Sequence, residues 1–157
     1  MKHFFLAMRT ALLLFIISFT VISCSKDKFT TSPQLRYKSL TSNRSTSTNF
    51  FSAPDVILNI TDKEGDLGFT DRDTAFVYIT NLQAPYLSDS FPFPHLNGAA
   101  GKKFDAELRV NLFNMLTCTQ STRPSIDTFF FEIYVRDFAR NKSNVIVTPD
   151  PFYYECQ

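Results

Sequence analysis

From Phe104 to Leu112 the chain reads FDAELRVNL, and apolar and polar residues trade places at every step. Phe104, Ala106, Leu108, Val110 and Leu112 fall on one side of an extended chain, with Asp105, Glu107, Arg109 and Asn111 on the other. A helix would scatter both sets around its axis, whereas a strand turns successive side chains to opposite faces. The same period of two recurs elsewhere. DVILNIT sets Val56, Leu58 and Ile60 against Ile57, Asn59 and Thr61, and TAFVYIT sets Ala75, Val77 and Ile79 against Phe76, Tyr78 and Thr80. TFFFEIYV puts Phe129, Phe131, Ile133 and Val135 on one face, and NVIVT closes the series. Turn residues bound each segment, and no later stretch of helix length carries the 3.6 spacing. The class these patterns predict is all-β.

Five such strands, with a sixth inside APYLSDSFPFPHL, are too many for one open sheet in about a hundred residues. Two sheets packed face to face bury the alternate residues of both, which predicts an immunoglobulin-like, two-sheet antiparallel sandwich over residues 55–157. Proline cannot serve a central ladder, so Pro85 to Pro94 is expected to leave the sheets as an irregular excursion that covers one face.

The first residues carry a different signal. Lys2 and Arg9 precede the uncharged apolar run ALLLFIISFTVI, Ala11 to Ile22. At 1.5 Å per residue this run is too short to cross a bilayer of roughly 30 Å as a helix. It ends in VISC, Val21 to Cys24, which resembles the lipobox of bacterial lipoproteins. The resemblance implies a signal peptide over residues 1–23, cleavage before Cys24, and acyl chains on that cysteine. The partner it implies is the membrane itself, and the location is the cell envelope, at the outer membrane on its periplasmic or surface side. The alternative is an ordinary secretory signal followed by free secretion. Without Lys2 and Arg9 the formal charge moves from +1 by two units to −1, so no basic excess is left for nucleic acid. Residues 24–54 are rich in Ser, Thr and Asn and read as a flexible tether with a reach of about 30 Å. Of the three cysteines, Cys118 and Cys156 form an even pair for an oxidising compartment, as a disulfide or as two buried thiols.

Two longer stretches, ITDKEGDLGFTDRDTAFVYI and YVRDFARNKSNVIVTP, resemble a family of Bacteroidota lipoproteins with Ig-like domains. Those proteins carry an Asp-rich hairpin and a late hairpin of the form RDxAGNxSN. Asp137, Asn141, Ser143 and Asn144 fit the late pattern, and Arg140 stands where it has glycine. The resemblance implies the fold and leaves activity open.

Within the first stretch, Asp62, Glu64 and Asp66 fall at the first, third and fifth positions and Asp73 at the twelfth, as in a helix-flanked calcium loop. Leu67 stands where that loop needs glycine, and the flanks are strands. Two readings stay open. Asp62, Asp66, Asp71 and Asp73 supply carboxylates to a calcium ion, the one cofactor the sequence suggests, or they cap turn amides in a hairpin with corners at Gly65 and Gly68. If successive strands simply alternate in direction, Asp137 lies at the far end from Asp62, while Cys118 and Cys156 lie at the near end.

Phe76 and Tyr78 share the outer face of one strand, and Phe130 and Tyr134 that of another. Such a row stacks on sugars or on a protein partner when open to solvent, and is inert when the proline-rich excursion covers it. Catalysis finds no constellation. His95 is the single histidine after the signal, in a proline-rich loop, and no nucleophile–base pair or phosphate-cradling glycine loop is present. The expected function is therefore a membrane-anchored, non-catalytic Ig-like module that binds or scaffolds an envelope protein or glycan. A calcium-stabilised adhesion or glycan-binding domain is the alternative, and a small envelope enzyme the third.

Overall fold

The alternating segments become strands whose buried faces coincide. The computed structural model describes residues 29–49, 53–68, 73–94 and 103–157. Among these lie β1 (Gln34–Leu40), β2 (Arg44–Thr46), β3 (Asp55–Asp62), β4 (Phe76–Asn81), β5 (Ser88–Pro92), β6 (Phe104–Asn111), β7 (Ser125–Phe129), β8 (Phe131–Arg136), β9 (Ile146–Val147) and β10 (Phe152–Cys156). They assemble into three sheets with the orders β1-β3-β6, β2-β10-β7 and β5-β4-β8-β9. Every pairing is antiparallel except that of β2 with β10. The fold is all-β.

Register follows from burial. Val56, Leu58 and Ile60 face Val110, Leu108 and Ala106 across β3 and β6, while Val77 and Ile79 face Val135 and Ile133 across β4 and β8. A slip of one residue in either pair would turn a whole apolar row into water. Side chains from all three sheets meet in one core, in which Phe129, Phe131 and Phe152 are fully buried with neighbouring ring centroids 6.3 Å apart. Each such ring removes a large apolar area from water, at roughly 25 cal/mol per Å².

Three expectations are corrected. The tether does not extend to residue 54, because β1 pairs with β3 along its length and β2 lies beside β10. Leu35 is buried, and Tyr37 and Leu40 pack against the core. A bulge between Tyr37 and Ser39 shifts the phase, so that Leu40 rather than Ser39 turns inward. The stretch from Pro85 to Pro94 is not an excursion over a face. It contains β5, which adds to the edge of β4, where Pro92 costs no central hydrogen bond.

The added strand also reverses the directional count. Phe76 at the start of β4 lies opposite Arg136 at the end of β8, and Phe104 at the start of β6 lies opposite Asp62 at the end of β3. The loop after Asp62 and the turn at Asp137 therefore share one pole of the domain. Cys118 follows β6 out of the other pole, and Cys156 lies opposite Ser125 there. The two cysteines were expected at the acidic pole and occupy the opposite one. Both moved together, and they are joined by a disulfide with Cα atoms 5.9 Å apart.

Candidate functional site

At the acidic pole β3 ends on Asp62, which is fully buried. Its Oδ2 accepts the Gly65 N–H at 2.5 Å and the Glu64 N–H at 3.2 Å, so the carboxylate folds the following turn around itself. Gly65 at φ 65° and Gly68 at φ 105° occupy the left-handed region that a Cβ would resist. Leu67, between them, plugs into the core, and the Ala75 N–H closes the loop on the Gly68 carbonyl at 2.9 Å. Turn capping thus accounts for Oδ2 of Asp62. It does not account for Oδ1, which is buried and meets no donor, nor for the buried Oδ1 of Asp66.

A second segment reaches the same place. The Phe138 N–H donates to the Asp66 carbonyl at 3.1 Å, tying the turn after β8 to the loop after β3. Asp137, 2% exposed, accepts the Asn141 backbone N–H at 2.7 Å and its Nδ2 at 2.9 Å. Arg140 adopts φ 68°, so the turn keeps its left-handed corner although arginine stands in the glycine's position. Burial pushes the Asp62 carboxyl up to about 6; the Gly65 N–H opposes this and the nearby Asp66 charge adds to it. Burial also raises Asp137, against the Asn141 hydrogen bonds and with help from the Asp66 charge.

The predicted cation ligands therefore divide. Asp62 and Asp66 come together, Asp73 is exposed, and Asp71 lies outside the described residues. Asp137, which strand counting sends to the far pole, lies at this one, its carboxylate held by Asn141. The sixth strand expected inside APYLSDSFPFPHL is β5; its residues SDSFP bury little, and when it is left out the count of reversals comes out odd where it is even.

The aromatic row is present on the outer face of β4 and β8. Tyr78 and Tyr134 stack with centroids 4.6 Å apart and planes 8° from parallel, and Phe76 follows at 6.4 Å. Lys142 holds its Nζ 3.9 Å from the Tyr134 ring centre, a cation–π contact. All three rings are half-buried. Phe130 sits between β7 and β8, its N–H donated to Gln83 Oε1 at 2.6 Å and its carbonyl accepting the Leu82 N–H at 2.9 Å. Val145 and Val147, on the β9 side of the same sheet, are exposed.

The disulfide pole has its own polar knot. Asp127, buried, accepts the Thr119 N–H at 2.7 Å, the Thr119 hydroxyl at 2.8 Å and the Gln120 amide at 3.0 Å. Burial pushes Asp127 up, but these donors outweigh it and hold the carboxyl below the usual range. Cys118, Asp127 and Cys156 lie close enough to suggest a metal triad, yet the two sulfurs are bonded to each other and have no thiolate to offer. On the outer face of β6, Glu107 pairs with Lys38 at 2.8 Å and Arg109 at 3.0 Å, and Asp105 accepts the Asn59 amide at 2.9 Å. His95 and Cys24 lie outside the described residues. No protein-family model, curated protein or solved structure matches the chain.

Proposed function

We propose that this chain is a lipid-anchored lipoprotein of the cell envelope, held at the outer membrane by Cys24, and that its folded part is a non-catalytic Ig-like module for binding or scaffolding. The observation that carries the reading is the disulfide. It commits Cys118 and Cys156 to each other and leaves Cys24, in its lipobox setting, as the cysteine of the three without an assigned role. A disulfide also belongs to an oxidising compartment, which the exported side of a membrane provides.

The strand orders support the Ig-like reading. β1, β3 and β6 form one antiparallel sheet and β5, β4, β8 and β9 another, and the chain crosses between them from β3 to β4 and from β5 to β6. Inward residues of both enter one core, as in a sandwich. The leash to the membrane is then short. The Thr30 carbonyl already accepts the Lys63 N–H, so the six steps from Cys24 span at most about 20 Å of extended chain. In this reading the acidic pole is the end nearer the bilayer, and the aromatic face of β4 and β8 is turned sideways to a protein or glycan partner.

Metabolic labelling with an alkyne-bearing fatty acid tests the anchor. Labelled protein in the membrane fraction, lost in Cys24→Ser, is the expected result. Unlabelled protein released into the soluble fraction would overturn it.

A further inference from the structure

Beyond β6 the chain makes a single 3-10 turn, Phe113–Met115, closed by the Met115 N–H on the Leu112 carbonyl at 2.9 Å. Residues three apart eclipse in such a turn, so Leu112 and Met115 both enter the core while Phe113 and Asn114 face water. Hydrogen bonds fix the turn at both ends. Asn111 Oδ1 accepts the Phe113 N–H at 3.0 Å, and its Nδ2 donates to Asp55 at 2.8 Å. The buried Asn81 amide donates to the Met115 carbonyl at 2.8 Å. Phe113 is thereby held 52% exposed, a large apolar ring kept in solvent. Among the described residues no other ring or cation stacks on it. The row on β4 and β8 differs, because Tyr134 is already engaged by Tyr78 and Lys142.

Phe113 walls a cleft of about 320 Å³ between the edge strands β5 and β6, with Asp89, Arg109, Asn111 and Asn114 around it. That volume sits at the small end of the roughly 300–1,000 Å³ typical of small-molecule sites. Asp89 stands opposite Ile79 on the inward side of β5, a charge that keeps the cleft wet and blunts the edge against an added strand. Its Oδ2 accepts the Asn114 amide at 3.3 Å, which ties the turn to β5. Asn114 Oδ1 and Arg109 Nη1 have no protein partner among the described residues. Asp89 and Glu107 balance Arg109 and Lys38, so a strongly charged ligand gains little there. A hydroxyl both donates and accepts, and neighbouring hydroxyls of a sugar suit acceptors set beside a guanidinium. The C–H face of the same sugar suits an open phenyl ring. Phe113 also borders a second hollow of about 230 Å³, with Thr46 and Asn49 in its wall. A ring between two hollows fits a chain of sugars better than a single one. We propose that this cleft binds a neutral oligosaccharide, with one sugar stacked on Phe113 and its hydroxyls bonded to Asp89, Arg109 and Asn114. This names a ligand class for the binding module proposed above and rests on that reading; it leaves the row on β4 and β8 to a protein.

The test titrates the purified chain with linear hexasaccharides of glucose, mannose, xylose and N-acetylglucosamine in turn, and with hexagalacturonate as the acidic control. Backbone amide shifts in NMR spectra report binding and its place. At least one neutral hexasaccharide is expected to saturate at millimolar concentration or below and to move the amides of Arg109, Phe113 and Asn114. Phe113→Ala, which leaves the core untouched, is expected to keep the melting midpoint and to weaken binding about tenfold or more. Asp89→Asn, on the exposed edge strand, is expected to weaken it severalfold. No saturable shift with any of the neutral hexasaccharides would overturn the proposal. So would shifts centred on Tyr78 and Tyr134, binding unchanged in Phe113→Ala, or tighter binding of the acidic control. Fatty-acid labelling at Cys24 is a separate measurement, so a failure here leaves the anchor standing.

Discussion

Asn144 closes both backbone groups of Leu35, across 109 positions of sequence: its Oδ1 accepts the Leu35 N–H at 2.7 Å and its Nδ2 donates to the Leu35 carbonyl at 2.9 Å. A single side chain thus stands in for a missing strand at the edge of β1. It also links the β1-β3-β6 sheet to the one that holds β9. Asn144→Ala is expected to cost roughly 1–3 kcal/mol, since both Leu35 groups lose their partner together. Asn144→Asp keeps the acceptor but sets a charge against the Leu35 carbonyl and is expected to cost at least as much. Urea denaturation of both variants measures this, and two midpoints within error of the parent would show that water replaces the amide freely.

Reduction of the disulfide is expected to lower stability by about 2–4 kcal/mol, the range for closing a loop of this size in the unfolded chain. Cys156 is fully buried and Cys118 half-buried, so a Cys118→Ser, Cys156→Ser double variant loses the bond and also sets a hydroxyl into the core at position 156. Denaturation with and without reductant reads the effect in the parent, and the double variant is expected to be indifferent to reductant.

Arg140 holds a backbone angle that costs a side chain with a Cβ. Replacement by glycine relieves this but adds freedom to the unfolded chain, so Arg140→Gly is expected to raise stability by about 1 kcal/mol or less. Arg140→Val, β-branched, is expected to lower it. A thermal melt that ranked valine above glycine would contradict the left-handed turn.

The two poles are expected to respond to pH in opposite senses. Burial first, and then the Asp66 charge, raise Asp62 from 3.8 to about 6 in the folded chain. Its neutral form therefore favours folding fully below the unfolded value, and that advantage is lost as pH rises through about 6. Stability is expected to fall between about pH 4 and pH 6, and Asp62→Asn to flatten this slope. Asp127 is held low by Thr119 and Gln120 despite its burial, so its contribution is present above the usual carboxylate range and is lost as pH drops beneath it. Asp127→Asn is expected to remove part of the acid limb. Chemical denaturation at a series of pH values measures both slopes.

Strands with long, clean alternation are legible in the sequence. In β6 every predicted outward residue from Asp105 to Asn111 is exposed, and the inward row deepens from half-buried Phe104 to fully buried Val110 and Leu112. The misses have local physical causes. β1 was hidden because its bulge moves the inward position from Ser39 to Leu40, breaking the period in a segment already rich in polar residues. β2 is three residues long and is held by pairing with β10 rather than by an apolar face of its own. β5 falls inside the stretch where a sixth strand is expected, but as an exposed edge it has no buried row to separate it from an irregular excursion. Asp62 and Asp66 are readable as acids at a turn, but the pole that Asp137 shares with them depends on which way each strand runs, and β5, left out of the count, inverts that. Sequence periodicity reports burial well and direction hardly at all.

The course of β1 has a mechanical consequence. It enters beside the acidic loop, with Gln34 opposite Thr61, and runs lengthwise down β3 to Leu40 opposite Val56. Traction from that entrance against the distal end loads the rungs between the two strands in shear, all sharing the strain at once, instead of peeling them in turn. A domain pulled in that direction would yield late and abruptly.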